Sequence, residues 1–146
     1  MAEHTMSSIT IQAGPAQVME VIADFARYPE WTDEVKQADI LATDAQGRAE
    51  QVRLVLDAGA IKDDHTLAYT WTGADQVSWS LVKSQMLRTL DGSYSLEPED
   101  GGAATKVTYR LTVDVKIPML GMIKRKAEKV IIDRALAGLK KRVEQN

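Results

Sequence analysis

The sequence predicts an α+β domain: a seven-stranded, curved antiparallel sheet wrapped around a long C-terminal helix, with one or two short helices after strand 1. Three observations carry this. From residue 35 to 116 apolar residues recur with period two, in runs separated by short turns. From about Pro118 to Glu144 the pattern is helical over a length of roughly 40 Å, enough to cross a whole sheet. Between residues 16 and 26 a shorter helical pattern follows a first strand.

Ile9 and Ile11 alternate with Thr10 and Gln12, which reads as a strand within residues 6–12. Gly14-Pro15 ends it, and Pro15 suits a first helical turn, where its missing N–H costs nothing. Val18, Val21, Ile22 and Phe25 then fall at helical spacing, and Pro29 is expected to stop that helix. Tyr28-Pro29-Glu30-Trp31 reads as a second short helix or a turn.

Turn signals at Asp44–Gly47, Asp57–Gly59, Thr72–Asp75, Lys83–Gln85 and Pro98–Gly102 divide the rest into six strand-like runs. Connections this short require antiparallel neighbours, because a parallel crossover needs a dozen residues or more. The inward phase is Val52, Leu54, Leu56 in one run and Ile61, Leu67, Tyr69, Trp71 in the next. It continues as Val77, Trp79, Leu81 and ends as Val107, Tyr109, Leu111, Val113, Val115. The phase changes between Leu87 and Leu90, and Asp91-Gly92 points to a bulge nearby. In the last helix, Leu120, Ile123, Ala127 and Ile131 define one apolar face, and Ile132, Leu136, Leu139 and Val143 another. Either the helix bends or its halves pack on different things.

The 146 residues are one domain's worth, read as a single domain over 1–146. The absence of cysteine excludes disulfides, thiolate metal sites and cysteine nucleophiles. No apolar run approaches the ~18 residues of a membrane span, and the sequence reads as a soluble, cytoplasmic domain. The formal charge of -3 hides an asymmetry: residues 117–146 carry eight basic and three acidic side chains, the remainder ten and eighteen. This is either a solvated helix face or a cationic surface for a partner. Lys124, Arg125, Lys126 and Lys129 leave open a peripheral contact with an anionic membrane. Without accompanying aromatic or RNP-like motifs they do not suggest nucleic acid. No Gly-rich phosphate loop or Gly-x-Ser-x-Gly elbow is present, and no cofactor or metal site is expected.

Several segments together resemble the START-like, or Bet v 1-like (SRPBCC, helix-grip), superfamily and within it the polyketide cyclase/dehydrase group. They are Ala26-Arg27-Tyr28-Pro29-Glu30-Trp31, Leu67-Ala68-Tyr69-Thr70-Trp71, Leu90-Asp91-Gly92-Ser93-Tyr94 and Thr105-Lys106-Val107-Thr108-Tyr109. Ile117-Pro118-Met119 and the stretches 124–128 and 135–144 complete the set. The resemblance spans nearly the whole chain and implies a sheet gripping the last helix around a hydrophobic tunnel. It implies binding of lipids, quinones, sterols or polyketides, or cyclisation and dehydration of the last. Fold alone does not choose among these.

Asp63 and His65 share the inward phase of Leu67 and Tyr69, so they are candidates for a carboxylate–imidazole pair at a cavity. The alternative is that this end of the strand lies at the rim and both face water. Tyr69, Tyr94 and Tyr109, with Trp79, offer an aromatic wall with polar tips, or simple core filling. Met86, Met119 and Met122, with Ile123, are expected around a tunnel mouth, where methionine adapts to irregular apolar shapes. Three functions follow as alternatives. One is binding or transport of a small hydrophobic molecule; another is cyclase/dehydratase chemistry with His65 as general acid/base. The third is an interaction module that forms a homodimer through the second face of the last helix.

Overall fold

The alternating runs become seven strands, all antiparallel, in the order β1-β7-β6-β5-β4-β3-β2. A computed structural model describes residues 5–57, 59, 62–116 and 121–145. The strands are β1 (Thr5–Ile11), β2 (Val35–Thr43), β3 (Ala49–Asp57), β4 (Lys62–Thr72), β5 (Gln76–Ser84), β6 (Leu87–Glu99) and β7 (Ala104–Val115). Helix α1 (Pro15–Ala23) and a 3₁₀ helix (Phe25–Glu30) follow β1, and α2 (Gly121–Glu144) closes the chain. Helix α2 packs on β1, β7 and α1, while the 3₁₀ helix packs on β2 at the other end of the sheet order. The core lies between these helices and the concave face of the sheet.

Pro15 occupies the first turn of α1 as its missing N–H predicts. The helix ends at Ala23, however, and Pro29 sits inside the 3₁₀ helix. The break is made by Asp24, whose backbone leaves the helical region at φ -89°, ψ 71°. The phase change in β6 is real, but its irregularity falls between Leu87 and Thr89. Gly92 serves another purpose. It pairs with Trp79 across β5–β6, and a Cβ there would lie 2.4 Å from the indole. Glycine therefore lets the ring lie flat on the neighbouring strand. Beyond that pair the two strands part: β5 pairs with β6 only from Gln76↔Ser95 to Trp79↔Gly92.

The two apolar faces expected in the last helix are one broad face. Ala127 and Ile131 are buried beside Ile132, Ala135, Leu136, Leu139 and Val143. What splits the pattern in the sequence is Glu128, which lies four residues before Ile132 on the same stripe and is fully buried. Its Oε1 accepts from Thr5 Oγ1 at 2.6 Å, and its Oε2 accepts from the Val113 N–H at 2.7 Å. The last described β1–β7 pair is Thr5↔Leu111, and two residues further along β7 the N–H bonds to this carboxylate. One side chain thereby ties α2 to both strands beneath it.

At the opposite end of α2, Gly138 meets the turn after the 3₁₀ helix. A Cβ at this position would stand 2.1 Å from the Trp31 carbonyl oxygen. Arg134 and Arg142, one turn to either side, pair with Glu34 at 2.7 Å and Glu30 at 3.0 Å. The Arg–Gly–Arg stripe thus closes a seam against Glu30, Trp31 and Glu34.

Two substitutions test these ties by denaturant unfolding. Glu128→Ala leaves the Val113 N–H and Thr5 hydroxyl without an acceptor and is expected to cost about 3 kcal/mol. Glu128→Gln should cost less than about 1 kcal/mol, because an amide can accept from the N–H and donate to the hydroxyl. Gly138→Ala gains about 1 kcal/mol of helix propensity. It also drives a methyl into a backbone carbonyl, so a net loss of about 2 kcal/mol is expected.

Candidate functional site

All eight aromatic side chains of the protein form one connected cluster. Phe25 contacts Tyr28, Tyr69 and Trp71, and Tyr28 contacts Trp31. Tyr69 reaches Trp79 at 5.6 Å between ring centroids, and Trp79 reaches Tyr94 and Tyr109 at 5.4 and 5.6 Å. The strands set this order: Tyr69↔Trp79 and Tyr94↔Tyr109 are direct cross-strand pairs, and Trp79 pairs with Gly92, two residues before Tyr94 on β6. The cluster wraps a cavity of about 80 Å³. Tyr28, Trp31, Tyr69, Trp79, Tyr94 and Tyr109 line it, with aliphatic side chains from β3, β4, β6, β7 and α2.

The polar groups on this wall are few. Burial raises the hydroxyl pKa of Tyr69, Tyr94 and Tyr109 well above that of a free phenol, so all three stay protonated. The Tyr28 hydroxyl is occupied, donating to the Ile22 carbonyl. His65, 3% exposed, also lines the cavity.

Asp63 and His65 face inward, and the solvent-facing alternative does not hold: both are buried, at 7% and 3% exposure. Asp64 between them points to the other face, where Arg53 grips it at 2.6 Å. Asp63 Oδ2 lies 3.1 Å from His65 Nδ1. The same carboxylate accepts from the Ser84 hydroxyl and from the Met86 N–H at 3.0 Å, so it also ties the β5–β6 turn to β4. A carboxylate can only accept, so this network assigns the imidazole proton to Nδ1. Nε2 is left with a lone pair and no partner among the described residues. Burial pushes the imidazole pKa down more than the Asp63 carboxylate pulls it up. His65 is therefore a neutral acceptor that has its orienting group.

The cavity wall thus brings together His65, Tyr69, Trp79, Tyr94 and Tyr109, with Asp63 immediately behind His65. The methionines are elsewhere. Met86 packs half-buried against the core without reaching the cavity, and Met122 is 76% exposed. Ile123 continues the stripe of Ala127 yet is 43% exposed, because the wall draws on α2 only further along, at Ile131 and Ala135. Met119 lies outside the described residues, as do Ile61 and Leu120. The cavity shares Trp31 and Glu34 with an outer cleft of about 470 Å³. That cleft is lined by both sides of the seam, including Arg134, Gly138 and Arg142.

Sequence reasoning misses Glu34 and Thr32, both of which line the cavity. The signal is faint: the two are buried at alternate positions just ahead of β2, an inward phase that begins before the apolar pattern does. Among the described residues no three His, Cys, Asp or Glu side chains gather as a metal ion would require. No helix among them is long and apolar enough to cross a membrane.

A curved sheet gripping a long helix over an aromatic-walled cavity defines the START-like, helix-grip class. The family model for polyketide cyclase / dehydrase and lipid transport matches residues 11–140, and the chain belongs to that family. A START superfamily protein from Mycobacterium smegmatis superposes with a TM-score of 0.90 at 24% identity, covering 97% of each chain. A protein of Thermus thermophilus superposes at 0.82 with 21% identity over 98% of each chain. The Zhui aromatase/cyclase from Streptomyces sp. R1128 gives 0.81 at 16% identity, over 99% of this chain and 95% of its own. At these identities the likeness establishes the fold. No curated protein matches the chain.

The lowered His65 pKa predicts a pH dependence of stability. In the unfolded chain the imidazole protonates near its ordinary value of 6.5; in the folded protein it does so only at lower pH. Between those two values the unfolded state holds the extra proton, so stability falls as pH drops below about 6.5. Urea unfolding between about pH 7 and about pH 5.5 should show that loss, and His65→Asn should flatten it. An unchanged slope in the variant would remove the assignment.

Proposed function

We propose that the protein binds a small hydrophobic molecule in the cavity between sheet and α2. The observation that carries this reading is the wall itself: a concave, mainly aromatic and aliphatic surface with a few convergent polar groups, the usual character of a ligand site. Its volume limits the mode of binding. About 80 Å³ is near half the ~150 Å³ that accommodates benzene in an apolar protein cavity. A lipid, quinone or polyketide-sized ligand therefore requires the wall to open. The outer cleft of about 470 Å³ beyond Trp31 and Glu34 supplies the room. Separation of the seam along Arg134, Gly138 and Arg142 would join the two spaces, so ligand exchange is coupled to breaking two ion pairs.

A second reading, cyclisation or dehydration of a poly-β-ketone, is favoured by one observation. The neutral His65, oriented by Asp63, faces the same cavity as three protonated tyrosines. Nε2 would take a proton from the carbon beside a carbonyl, and a tyrosine hydroxyl would donate to the enolate oxygen that forms. Asp63 would act as the positioning residue for His65.

Native mass spectrometry of the purified protein, with a displacement panel of fatty acids, quinones and aromatic polyketides, tests the first reading. Saturable one-to-one binding that weakens at least tenfold in Trp79→Ala is expected; a blank panel would overturn it. For the second reading, a poly-β-ketone turned over equally by wild type and His65→Ala would exclude the His65 mechanism.

A further inference from the structure

We infer that Glu34 is the polar anchor of the ligand site and that it selects ligands carrying a hydroxyl donor, phenolic or enolic, on an otherwise apolar body. The inference rests on the reading of the cavity as a ligand site and assigns the chemistry of what it takes.

Glu34 is 3% exposed and lies where the inner cavity meets the outer cleft. Its Oε1 accepts from Arg134 Nη1 at 2.7 Å, an interaction made across the seam. Its Oε2 is buried and has no hydrogen-bond partner among the described residues. A carboxylate oxygen withdrawn from water and left unpaired is costly, and folded proteins rarely keep one without a use. The two other buried carboxylates among the described residues differ in this respect. Asp63 takes donors on both oxygens, and so does Glu128. The unpartnered oxygen of Glu34 is therefore a property of this position.

Glu34 lines the cavity, and its buried, unpartnered acceptor oxygen asks for a donor. The hydroxyls of Tyr69, Tyr94 and Tyr109 share the wall, yet none bonds to it. A ligand hydroxyl at the Trp31 end, with its apolar body among the aromatic rings, would complete the carboxylate. A hydrocarbon of the same shape would leave it unpaired. Arg134, itself 65% exposed, holds the carboxylate from the solvent side and so keeps Oε2 for the ligand.

The test compares 2-naphthol with 2-methylnaphthalene, which match in shape and differ in the donor. Both need the same opening of the seam, so the ratio of their dissociation constants isolates the hydroxyl. NMR titration of the full-length protein should show 2-naphthol binding about tenfold or more tightly, the range of a hydrogen bond to a charged group. In Glu34→Gln the amide oxygen turns to Arg134 and the NH₂, a donor only, takes the place of Oε2. The ratio should then fall to within about threefold, while 2-methylnaphthalene binds as before. Equal binding of the two probes to wild type would overturn the inference and leave the cavity reading intact. A preference that survives Glu34→Gln would also overturn it and move the recognition to His65 Nε2. Saturable binding of neither probe by a protein that does bind members of the fatty acid, quinone and polyketide panel would overturn the inference alone; a blank panel as well would overturn the cavity reading with it. The wild-type comparison stands even if the variant does not fold.

Discussion

The structure depends on filling the concave side of a strongly curved sheet, and it does so with every aromatic ring the chain possesses. Eight rings from the 3₁₀ helix, the turn after it and strands β4 to β7 form one connected cluster. Large rings span the gap between sheet and helices where aliphatic side chains are too short, and their edge and tilted contacts fix relative positions. The place of each ring follows from strand pairing. Trp79 lies against Tyr69 on one neighbour and above Gly92 on the other because β5 pairs with both strands at that level. Rings packed at such angles do not close completely, and the cavity is what they leave.

Three carboxylates are buried among the described residues, and the way each is satisfied separates framework from site. Glu128 joins α2 to β1 and β7, and both of its oxygens are occupied. Asp63 joins the β5–β6 turn to β4 and orients His65 with the same group, so it serves framework and site together. Glu34 has one oxygen tied across the seam and one open. A buried carboxylate with all its donors supplied holds structure; one left short of a donor marks a place where a donor arrives.

The charge asymmetry of the chain has the same geography. Part of the basic excess of the last helix is used within the molecule: Arg134 and Arg142 pair with Glu34 and Glu30, and Lys140 donates to the Thr10 carbonyl and to Glu144. The seam over the cavity is therefore held partly by ion pairs, which water and salt can loosen, and partly by the contact that Gly138 permits. The first turns of α2 are different. There Arg125, Lys126 and Lys129 are exposed beside Met122 and Ile123, on a helix end that contributes nothing to the cavity.

The sequence by itself determined the strands, the long terminal helix and the antiparallel pairing of strands joined by short turns, because period-two alternation and those turns leave little choice once one face must be buried. The place of β1 beside β7 was left to the tertiary structure. Strand phase, a local property, also put Tyr69, Trp79, Tyr94 and Tyr109 on one inward face; for His65 it left cavity or water open, which burial at 3% exposure decided. The ring-on-glycine contact at Trp79, the continuity of the α2 stripe through Glu128, and the pairing of Glu34 with Arg134 were decided only by tertiary structure. Each joins residues remote in the chain, Glu34 and Arg134 being a hundred residues apart. Polar residues on inward phases read locally as interruptions, as Glu128 does in the last helix. Cavity size was equally a tertiary matter: strand phases place the rings on the concave face, but their mutual packing sets a volume near 80 Å³. Volume is the small difference between the space a curved sheet encloses and the side chains that occupy it, and no local pattern records a difference of that kind.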